Sequence, residues 1–335
     1  MRFVLYCRAN RMKSPRATTV IRAGNGFLDA DIYFPRFSYR RGRERGTILL
    51  IHGMTAKGNA DPRIVTVCEA FARCGYVVVS PLFRDISNFS ISNTTIRDIA
   101  EAARAIASNR LLCRNGKISL FAPSFSAGMA LLASTHPRCA PMIESICSVG
   151  TYGSVHTVIN DLMTREDRDE YGRLIIMKNF IHHAPGFNRR TGDILHEAIL
   201  DNGLNREEKK FFEKLARVPE RLRRRIERLL ADADFRSRVW EAILARSSRV
   251  RTLMKQLSVL DNISPTTSRI VLVHGKHDNV IPPEESRLLY SKLQDLGVPS
   301  AICITPLISH GDARFEKGFL RNCLQLIYAF AFFFG

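Results

Sequence analysis

The sequence lacks an apolar run long enough to cross a membrane. A spanning helix needs about 18 to 20 consecutive apolar residues, whereas the longest candidate, residues 324–334, is shorter and is interrupted by Gln325. We also expect no secretory signal, because the apolar run at residues 3–7 is short and basic residues follow it. We therefore expect a cytoplasmic protein. The C-terminal apolar segment is expected to pack as a helix on a sheet, and the alternative is a tail that touches a bilayer.

Cysteine pairs and metal-ligand spacings are missing as well. The chain has eight cysteines but no CxxC pair, which indicates free thiols in a reducing compartment. Its scattered histidines have no ligand partners at useful spacing. We expect neither a metal nor an organic cofactor. The histidines concerned are His156, His182, His183 and His196.

Acidic residues are scarce relative to basic ones. The chain has 50 lysines and arginines against 32 acidic residues, a formal net charge of +18. The excess begins in a basic arm, assigned to residues 1–20. Such an arm could contact an anionic membrane peripherally. We find no nucleic-acid-binding signature of basic residues with interleaved aromatics, so a nucleic-acid partner is not expected. The sequence does not indicate an oligomeric state.

Two blocks of the chain alternate short apolar runs with amphipathic helix patterns. Because such strands are apolar on both faces, they indicate a mostly parallel sheet covered by helices on both sides, an α/β fold. The strands are predicted at residues 27–34, 47–52, 76–80, 118–122, 142–149, 269–274 and 301–305. The helices are predicted at 62–74, 94–108 and 283–296.

A purely helical pattern separates the two blocks. Residues 151–265 show charged outer faces and no strand, with one helix starting in residues 205–212 and another at 219–230. We interpret this stretch as a cap or lid inserted into a single sheet domain. The predicted organisation is therefore an arm at 1–20, a core at 21–150 and 266–335, and a helical cap at 151–265.

The most informative motif is the serine-rich turn at residues 124–128, which follows a predicted strand and opens a helix. A strand that turns sharply into a helix can hold a serine hydroxyl exposed for attack on a carbonyl, provided that small residues lie two positions before and after it. Ser124 and Gly128 meet that need around Ser126. Choosing Ser124 as the apex would instead lose the glycine, so Ser126 is preferred.

A second loop follows the early buried strand and contains His52, Gly53 and Met54. Glycine there lets the backbone approach a substrate, and the amide of Met54 could point at a developing oxyanion with the amide of Ala127 as its partner. His52 is expected to support this loop.

An acid and a histidine occur downstream in the required order. Asp278 follows a buried strand, where a carboxylate can orient an imidazole. His310 lies in a loop after the last strand, 32 residues later, which allows one helix and one strand between them. The alternatives for these two positions are Glu284 and Glu285 for the acid, and His277 and His52 for the histidine.

This order of a His-Gly loop, a serine elbow, an aspartate and a histidine resembles the α/β-hydrolase fold superfamily over most of residues 20–335. The resemblance implies that Ser126 is the nucleophile, His310 the base and Asp278 the orienting acid. It also implies an oxyanion hole made by Met54 and Ala127, with Gly128 starting the helix. Ser124 departs from the usual glycine.

The resemblance implies a serine hydrolase that cleaves a small carboxylic ester or thioester. A serine nucleophile excludes the branches that use a carboxylate for attack. Peptidases and acyltransferases with the same triad remain alternatives, as does a non-catalytic protein that binds a ligand or a membrane on the same fold.

Overall fold

The fold is built around one eight-stranded sheet. The computed structural model describes residues 13–24, 26–35, 44–308 and 319–335. The strands occur in the order β1-β2-β4-β3-β5-β6-β7-β8 across the sheet. They are β1 Arg16–Ala23, β2 Gly26–Tyr33, β3 Gly46–Leu50, β4 Tyr76–Pro81, β5 Ile118–Pro123, β6 Ile143–Val149, β7 Arg269–Gly275 and β8 Ser300–Thr305.

Six of these strands, β3 to β8, run parallel to one another, and only β1 and β2 are antiparallel to their neighbours. Successive side chains in a strand point to opposite faces, and the apolar residues of β3 follow this rule. Ile48 and Leu50 pack on one face, and Leu49 packs on the other. Since both faces are buried, the α/β prediction of a parallel sheet between two helical layers is confirmed.

The helices cover both faces of the sheet. One face carries the helix at residues 62–73 and the C-terminal helix, and the other carries the helices at residues 94–108, 125–134 and 283–295. Outside the segment between β6 and β7, the helices are α1 Pro62–Arg73, α2 Arg84–Ser87, α3 Thr94–Ser108, α4 Phe125–Ser134, α13 Pro283–Asp295 and α14 Phe319–Phe334.

The chain between β6 and β7 forms helices and no strand, as the sequence predicted for residues 151–265. The predicted helix start within residues 205–212 lies at Lys210. We call this segment the cap. Its helices are α5 Val155–Thr164, α6 Glu170–Phe180, α7 Arg189–Gly203, α8 Lys210–Ala216, α9 Glu220–Ala231, α10 Ala233–Arg246, α11 Ser248–Leu257 and α12 Val259–Asn262.

Strand β1 was not predicted from the sequence. It pairs antiparallel with β2 at the edge of the sheet, and most of its side chains are exposed, so it lacks the apolar alternation of a half-buried strand. The basic arm assigned to residues 1–20 therefore ends in a strand from Arg16 onward. Residues 1–12 of that arm lie outside the described residues.

The C-terminal helix α14 packs on the sheet. Its residues Leu326, Ala329, Phe330 and Phe333 are buried in the core that also contains Phe71 of α1. Burial of four apolar side chains confirms that this segment is a helix packed on a sheet. None of the helices in the described parts of the chain is long and apolar enough to span a membrane.

Candidate functional site

The loops that carry the predicted site leave the sheet at one edge. Strands β3, β5, β6 and β7 are parallel neighbours, so their carboxyl ends meet on the same side. Pro123 at the end of β5 pairs with Val149 at the end of β6, and Val149 pairs with Val273 of β7. This register brings together loops that are far apart in the sequence.

Ser124 has the strained backbone of a strand-to-helix elbow. It follows β5 directly and precedes the first residue of α4, with φ 58° and ψ −140°. A residue other than glycine rarely adopts such a positive φ, and holding it there costs on the order of 1–3 kcal/mol. Its amide donates a hydrogen bond to the Val149 carbonyl at 2.7 Å. The strained, half-buried serine at the apex of this turn is therefore Ser124.

Ser126 lies in the first turn of α4 instead. It is 1% exposed, and its hydroxyl donates to the Pro123 carbonyl at 2.7 Å. The expectation of an exposed hydroxyl at Ser126 is not met, because the chain turns two residues earlier than predicted. With Ser124 at the apex, the required small residues two positions before and after it are Ala122 and Ser126. Neither of them is glycine.

Gly128 meets a packing need rather than a need of the turn. A Cβ built on this residue would lie 2.3 Å from the ring of Tyr152, which packs directly over the start of α4. This close approach requires glycine. The glycine that favoured Ser126 at the level of sequence is thus explained by Tyr152.

The amides near the elbow differ in their availability. The Ala127 amide donates to the Ser124 carbonyl at 2.9 Å, so it is already used within the turn and does not suit the predicted oxyanion role. The amide of Phe125 is the first of α4, for which the helix itself offers no acceptor. The residue after the nucleophile supplies the oxyanion donor in elbows of this kind. Phe125 therefore replaces Ala127 as the candidate.

The loop at residues 52–54 lies beside the elbow. A Cβ built on Gly53 would be 3.7 Å from the Pro123 side chain, which shows how closely the two segments approach. Met54 is half-buried, and its carbonyl accepts a hydrogen bond from the Tyr171 hydroxyl of α6 at 3.4 Å. The structure thus brings Met54 and the elbow together, with a cap helix in contact.

His52 holds this loop in place. Its ring is fully buried, with Nε2 3.1 Å from the Phe83 amide and Nδ1 2.9 Å from the Gly53 carbonyl. Because an amide N–H can only donate, Nε2 accepts and the proton resides on Nδ1, which donates to Gly53. Burial lowers the pKa of His52 from 6.5 to about 4, so the ring is neutral near pH 7.

The bond to Gly53 also orients a potential oxyanion donor. The Gly53 carbonyl and the Met54 N–H belong to one planar trans peptide, so they point in opposite directions. When His52 holds the carbonyl, the Met54 N–H must face away from the imidazole. The predicted supporting role of His52 therefore has a specific geometric basis.

Asp278 is buried and held by backbone amides. Its Oδ1 accepts from the amides of Val280 and Ile281 at 2.9 and 3.0 Å. Its Oδ2 lies 3.5 Å from the position that a Cβ on Gly150 would occupy, at the end of β6. The carboxylate therefore belongs to the same sheet edge as the elbow.

His274 helps to hold the site together, although the sequence analysis treated it only as the end of a strand. Its Nε2 lies 2.9 Å from the Ile281 carbonyl and 3.6 Å from Asp278 Oδ2, and its Nδ1 lies 2.6 Å from the Ser286 hydroxyl. Since a carbonyl only accepts, Nε2 donates to Ile281, and Nδ1 shares a hydrogen bond with the Ser286 hydroxyl. This buried ring ties β7 to the loop that carries Asp278. A polar residue ending a buried strand was the available signal.

His310 lies outside the described residues. The strand that leads to it can be placed, because β8 ends at Thr305, which pairs with Gly275 and accepts a hydrogen bond from the Lys276 amide at 2.9 Å. The chain toward His310 thus leaves the sheet next to the Asp278 loop.

Two other histidines compete with His310 for the role of the base. His277 is exposed, and the ring of His52 is hydrogen-bonded within its own loop.

The two glutamates that compete with Asp278 for the role of the acid differ in their surroundings. Glu284 is exposed. Glu285 is buried, and its Oε2 accepts from the amides of Gly153 and Ser154 at 2.9 and 2.7 Å, so it anchors the start of the cap.

Within the described residues, no group of three or more His, Cys, Asp and Glu side chains could hold a metal ion. That no cofactor takes part stays a prediction.

Comparison with known proteins places these features in context. Residues 230–332, which include Asp278 and His310, match the Prolyl oligopeptidase family (peptidase S9). This match covers less than half of the chain. A search of curated proteins found no matching sequence.

Solved structures with the same fold include peptidases and an esterase. Acylaminoacyl peptidase from Pyrococcus horikoshii is 14% identical, with a TM-score of 0.55 over 98% of this chain and 42% of its own. Dipeptidyl peptidase 4 from Porphyromonas gingivalis is 14% identical, with a TM-score of 0.54 over 96% of this chain and 36% of its own. Esterase 2 from Thermogutta terrifontis is 14% identical, with a TM-score of 0.53 over 96% of both chains.

This chain therefore spans about two fifths of the length of the two peptidases and nearly the whole length of the esterase. At these identities the likeness establishes the fold.

Proposed function

We propose that the chain, which shares the fold of these hydrolases, is a serine hydrolase of the α/β-hydrolase superfamily with Ser124 as its nucleophile. The observation that carries this proposal is the strained backbone of Ser124 at the turn from β5 into α4. Strain of this kind concentrates at functional sites, where the surrounding structure maintains it. We therefore assign the nucleophile to Ser124 and not to Ser126, which the sequence analysis had favoured.

The proposed reaction assigns each group a role. His310 takes the proton of the Ser124 hydroxyl, and the oxygen attacks a substrate carbonyl. Asp278 orients His310 through the oxygen that faces Gly150. The amides of Met54 and Phe125 stabilise the oxyanion of the tetrahedral intermediate. His310 then protonates the leaving group, and water releases the acyl group from Ser124 by the same steps in reverse.

We propose a carboxylic ester or thioester as the substrate class. The esterase from Thermogutta terrifontis supports this choice, because it resembles the chain over nearly the full length of both. Esters also have better leaving groups than amides, so the triad alone is sufficient for them. The cap would shape the acyl pocket, since Tyr171 of α6 contacts Met54.

A peptide bond is the second candidate. The observation that favours it is the match of residues 230–332 to the Prolyl oligopeptidase family. A peptidase would use the same nucleophile and oxyanion donors and would differ in the leaving group that His310 protonates. Hydrolysis rates on p-nitrophenyl esters and on aminoacyl p-nitroanilides, measured with the same enzyme preparation, show whether the protein prefers esters or peptide bonds. An ester panel of increasing chain length then reports the depth of the acyl pocket.

A fluorophosphonate probe tests the nucleophile directly. The esterase from Thermogutta terrifontis is described as phosphoramylated by tabun, a reagent of related chemistry. We expect the wild type and Ser126→Ala to be labelled on Ser124, as located by peptide mass mapping, and Ser124→Ala to stay unlabelled. An unlabelled wild type would contradict the enzyme proposal. Labelling that persists in Ser124→Ala and is lost in Ser126→Ala would return the role to Ser126.

A further inference from the structure

The cap contains a cavity whose lining is strongly basic. Its volume is about 400 Å³, within the range of small-molecule sites. Five basic side chains line it: Lys178 in α6, His182 and His183 after α6, Arg189 at the start of α7 and Arg249 at the start of α11. We call this space the cap cavity. Of the residues proposed for the acyl-transfer reaction, the described ones, Met54, Ser124, Phe125 and Asp278, do not line it.

The charge of the cap cavity is not neutralised by the protein. In the described parts of the chain neither Arg189 nor Arg249 forms an ion pair or a side-chain hydrogen bond. Lys178 also lines the cavity, but its ammonium group donates to the carbonyls of Asn88 and Phe89 at 2.9 and 3.3 Å. Asp193 is the acidic residue of the lining. Two permanent guanidinium charges thus remain available.

The two histidines report the positive potential inside the cavity. Their ring centroids are 4.1 Å apart. Burial, then His183, Arg189 and Arg249, lower the pKa of His182, and burial followed by Arg249 lowers the pKa of His183. A bound anion would offset the arginine charges and favour protonation of both rings. Anion binding at this place would therefore take up protons.

The other part of the lining is apolar. Ile91, Phe180, Val250 and Leu253 face the same space as the basic groups. Ile91, Phe180 and Val250 are buried and Leu253 is half-buried, so the apolar area still open to a ligand lies mainly at Leu253. An organic group would cover this area, whereas a simple inorganic ion would not. The mixed lining thus fits a ligand with one charged end and one apolar end.

We propose that the cap cavity binds a small organic anion, such as a phosphate monoester or a carboxylate. Arg189, Arg249 and the two histidines hold the charged group, because guanidinium pairs bidentately with phosphate and carboxylate oxygens. The apolar part of the ligand rests on Ile91, Phe180 and Leu253. This site shares no lining residue with the described part of the proposed catalytic site, and the proposal does not depend on the function of that site.

Calorimetric titration with phenyl phosphate, benzoate and benzyl alcohol tests the proposal. We expect the wild type to bind one or both anions and not the neutral alcohol, and the stronger anion identifies the charged group. Arg189→Gln combined with Arg249→Gln should weaken binding roughly tenfold or more. If neither anion gives a binding heat with the wild type at about 10 mM, a concentration well above the Kd of ordinary small-ligand sites, the proposal is overturned.

A matched variant controls for the high net charge of the protein. Arg238→Gln combined with Arg246→Gln removes the same charge from exposed positions of α10 that do not line the cavity. Its affinity should change by less than about twofold, because charges in water are screened over about 10 Å. Equal losses in the two double variants would show general attraction to a basic protein and contradict a site. Circular dichroism of both variants checks that they are folded.

Proton uptake gives a second, independent readout. Titrations in buffers of different ionisation enthalpy should show protons bound together with phenyl phosphate in the wild type. His182→Gln combined with His183→Gln should abolish that uptake while Arg189 and Arg249 retain weaker binding. Uptake that is unchanged in this variant would contradict a contact between the anion and the histidines.

Discussion

At the scale of single residues, the proposed site depends on which atoms of buried histidines carry protons. His52 and His274 are both buried, and each bridges a strand end to a neighbouring loop. In both rings a backbone partner determines the tautomer, because an amide can only donate and a carbonyl can only accept. The orientation of the Met54 amide and of the Asp278 loop therefore follows from the hydrogen bonds of these two rings.

Two substitutions separate the two bonds of His52. His52→Gln keeps an acceptor for the Phe83 amide but loses the donor to Gly53, so the Met54 amide is no longer oriented. We expect kcat for a p-nitrophenyl ester to fall about tenfold or more with little change in KM. His52→Asn should keep the bond to Gly53 and most of kcat, and lose stability through the unpaired Phe83 amide. The opposite ranking of kcat would contradict the orienting role.

The pH dependence of unfolding should also report His52. Its pKa is 6.5 when unfolded and about 4 when folded, so the unfolded state takes up the proton first as the pH falls. The stability from neutral His52 is thus present above pH 6.5 and is lost between there and about pH 4. It amounts to about 3 kcal/mol. Urea unfolding should show the wild type losing this much relative to His52→Gln across that range, and parallel curves would contradict it.

At the scale of helices and strands, the elements that the sequence predicted best are those buried on both sides. Strands β3 to β8 are short apolar runs between turn residues, and such runs have few other stable arrangements in a soluble protein. Strand β1 escaped prediction because it is an exposed edge strand whose pairing with β2 depends on a partner elsewhere in the chain.

The elbow shows a different limit of sequence reasoning. Ser124 and Ser126 both have small neighbours, and the choice between them depends on where β5 ends and on the φ angle of one residue. The glycine at position 128, which favoured Ser126 in the sequence, is required by the ring of Tyr152, and a contact between residues of separate elements leaves no local pattern. The Asp278 loop was easier to predict, because a polar residue directly after a buried strand is a local signal.

Helix α14 allows a direct test of the packing of the C-terminal segment. Phe333 is 1% exposed and contacts Phe71 with ring centroids 6.1 Å apart, whereas Tyr328 on the same helix is 67% exposed. Phe333→Ala should lower the free energy of unfolding by about 3–5 kcal/mol. Tyr328→Ala should change it by less than about 0.5 kcal/mol. Equal effects in urea unfolding would show that the helix does not pack on the sheet in solution.

At the scale of the whole molecule, the net charge of +18 is the dominant electrostatic feature. Many surface arginines pair with carboxylates, as Arg217 does with Glu213 one turn away on α8, but such exposed pairs contribute little. The repulsion among the unpaired basic residues acts over the whole surface. Salt weakens both effects, and their balance determines how stability responds to ionic strength.

We expect added salt to stabilise the protein. Salt screens both the repulsion among the excess basic residues and the attraction within exposed ion pairs, and the repulsion is the larger of the two. The Tm should therefore rise by several degrees between about 20 mM and about 300 mM sodium chloride. Scanning calorimetry measures this change. The same series in sucrose, which leaves charges unscreened, is the control. A Tm that falls with salt would show that ion pairs outweigh the repulsion.

The φ of 58° at Ser124 also has a consequence for how this protein can evolve. Glycine adopts that conformation without steric strain, so Ser124→Gly should raise the free energy of unfolding by up to about 1–3 kcal/mol in urea titrations, and the proposed activity on a p-nitrophenyl ester should disappear. Ser126→Gly, in the first turn of the helix, should destabilise the protein instead. Selection for stability alone would replace the serine, so this position would drift toward glycine in any lineage that no longer uses the reaction.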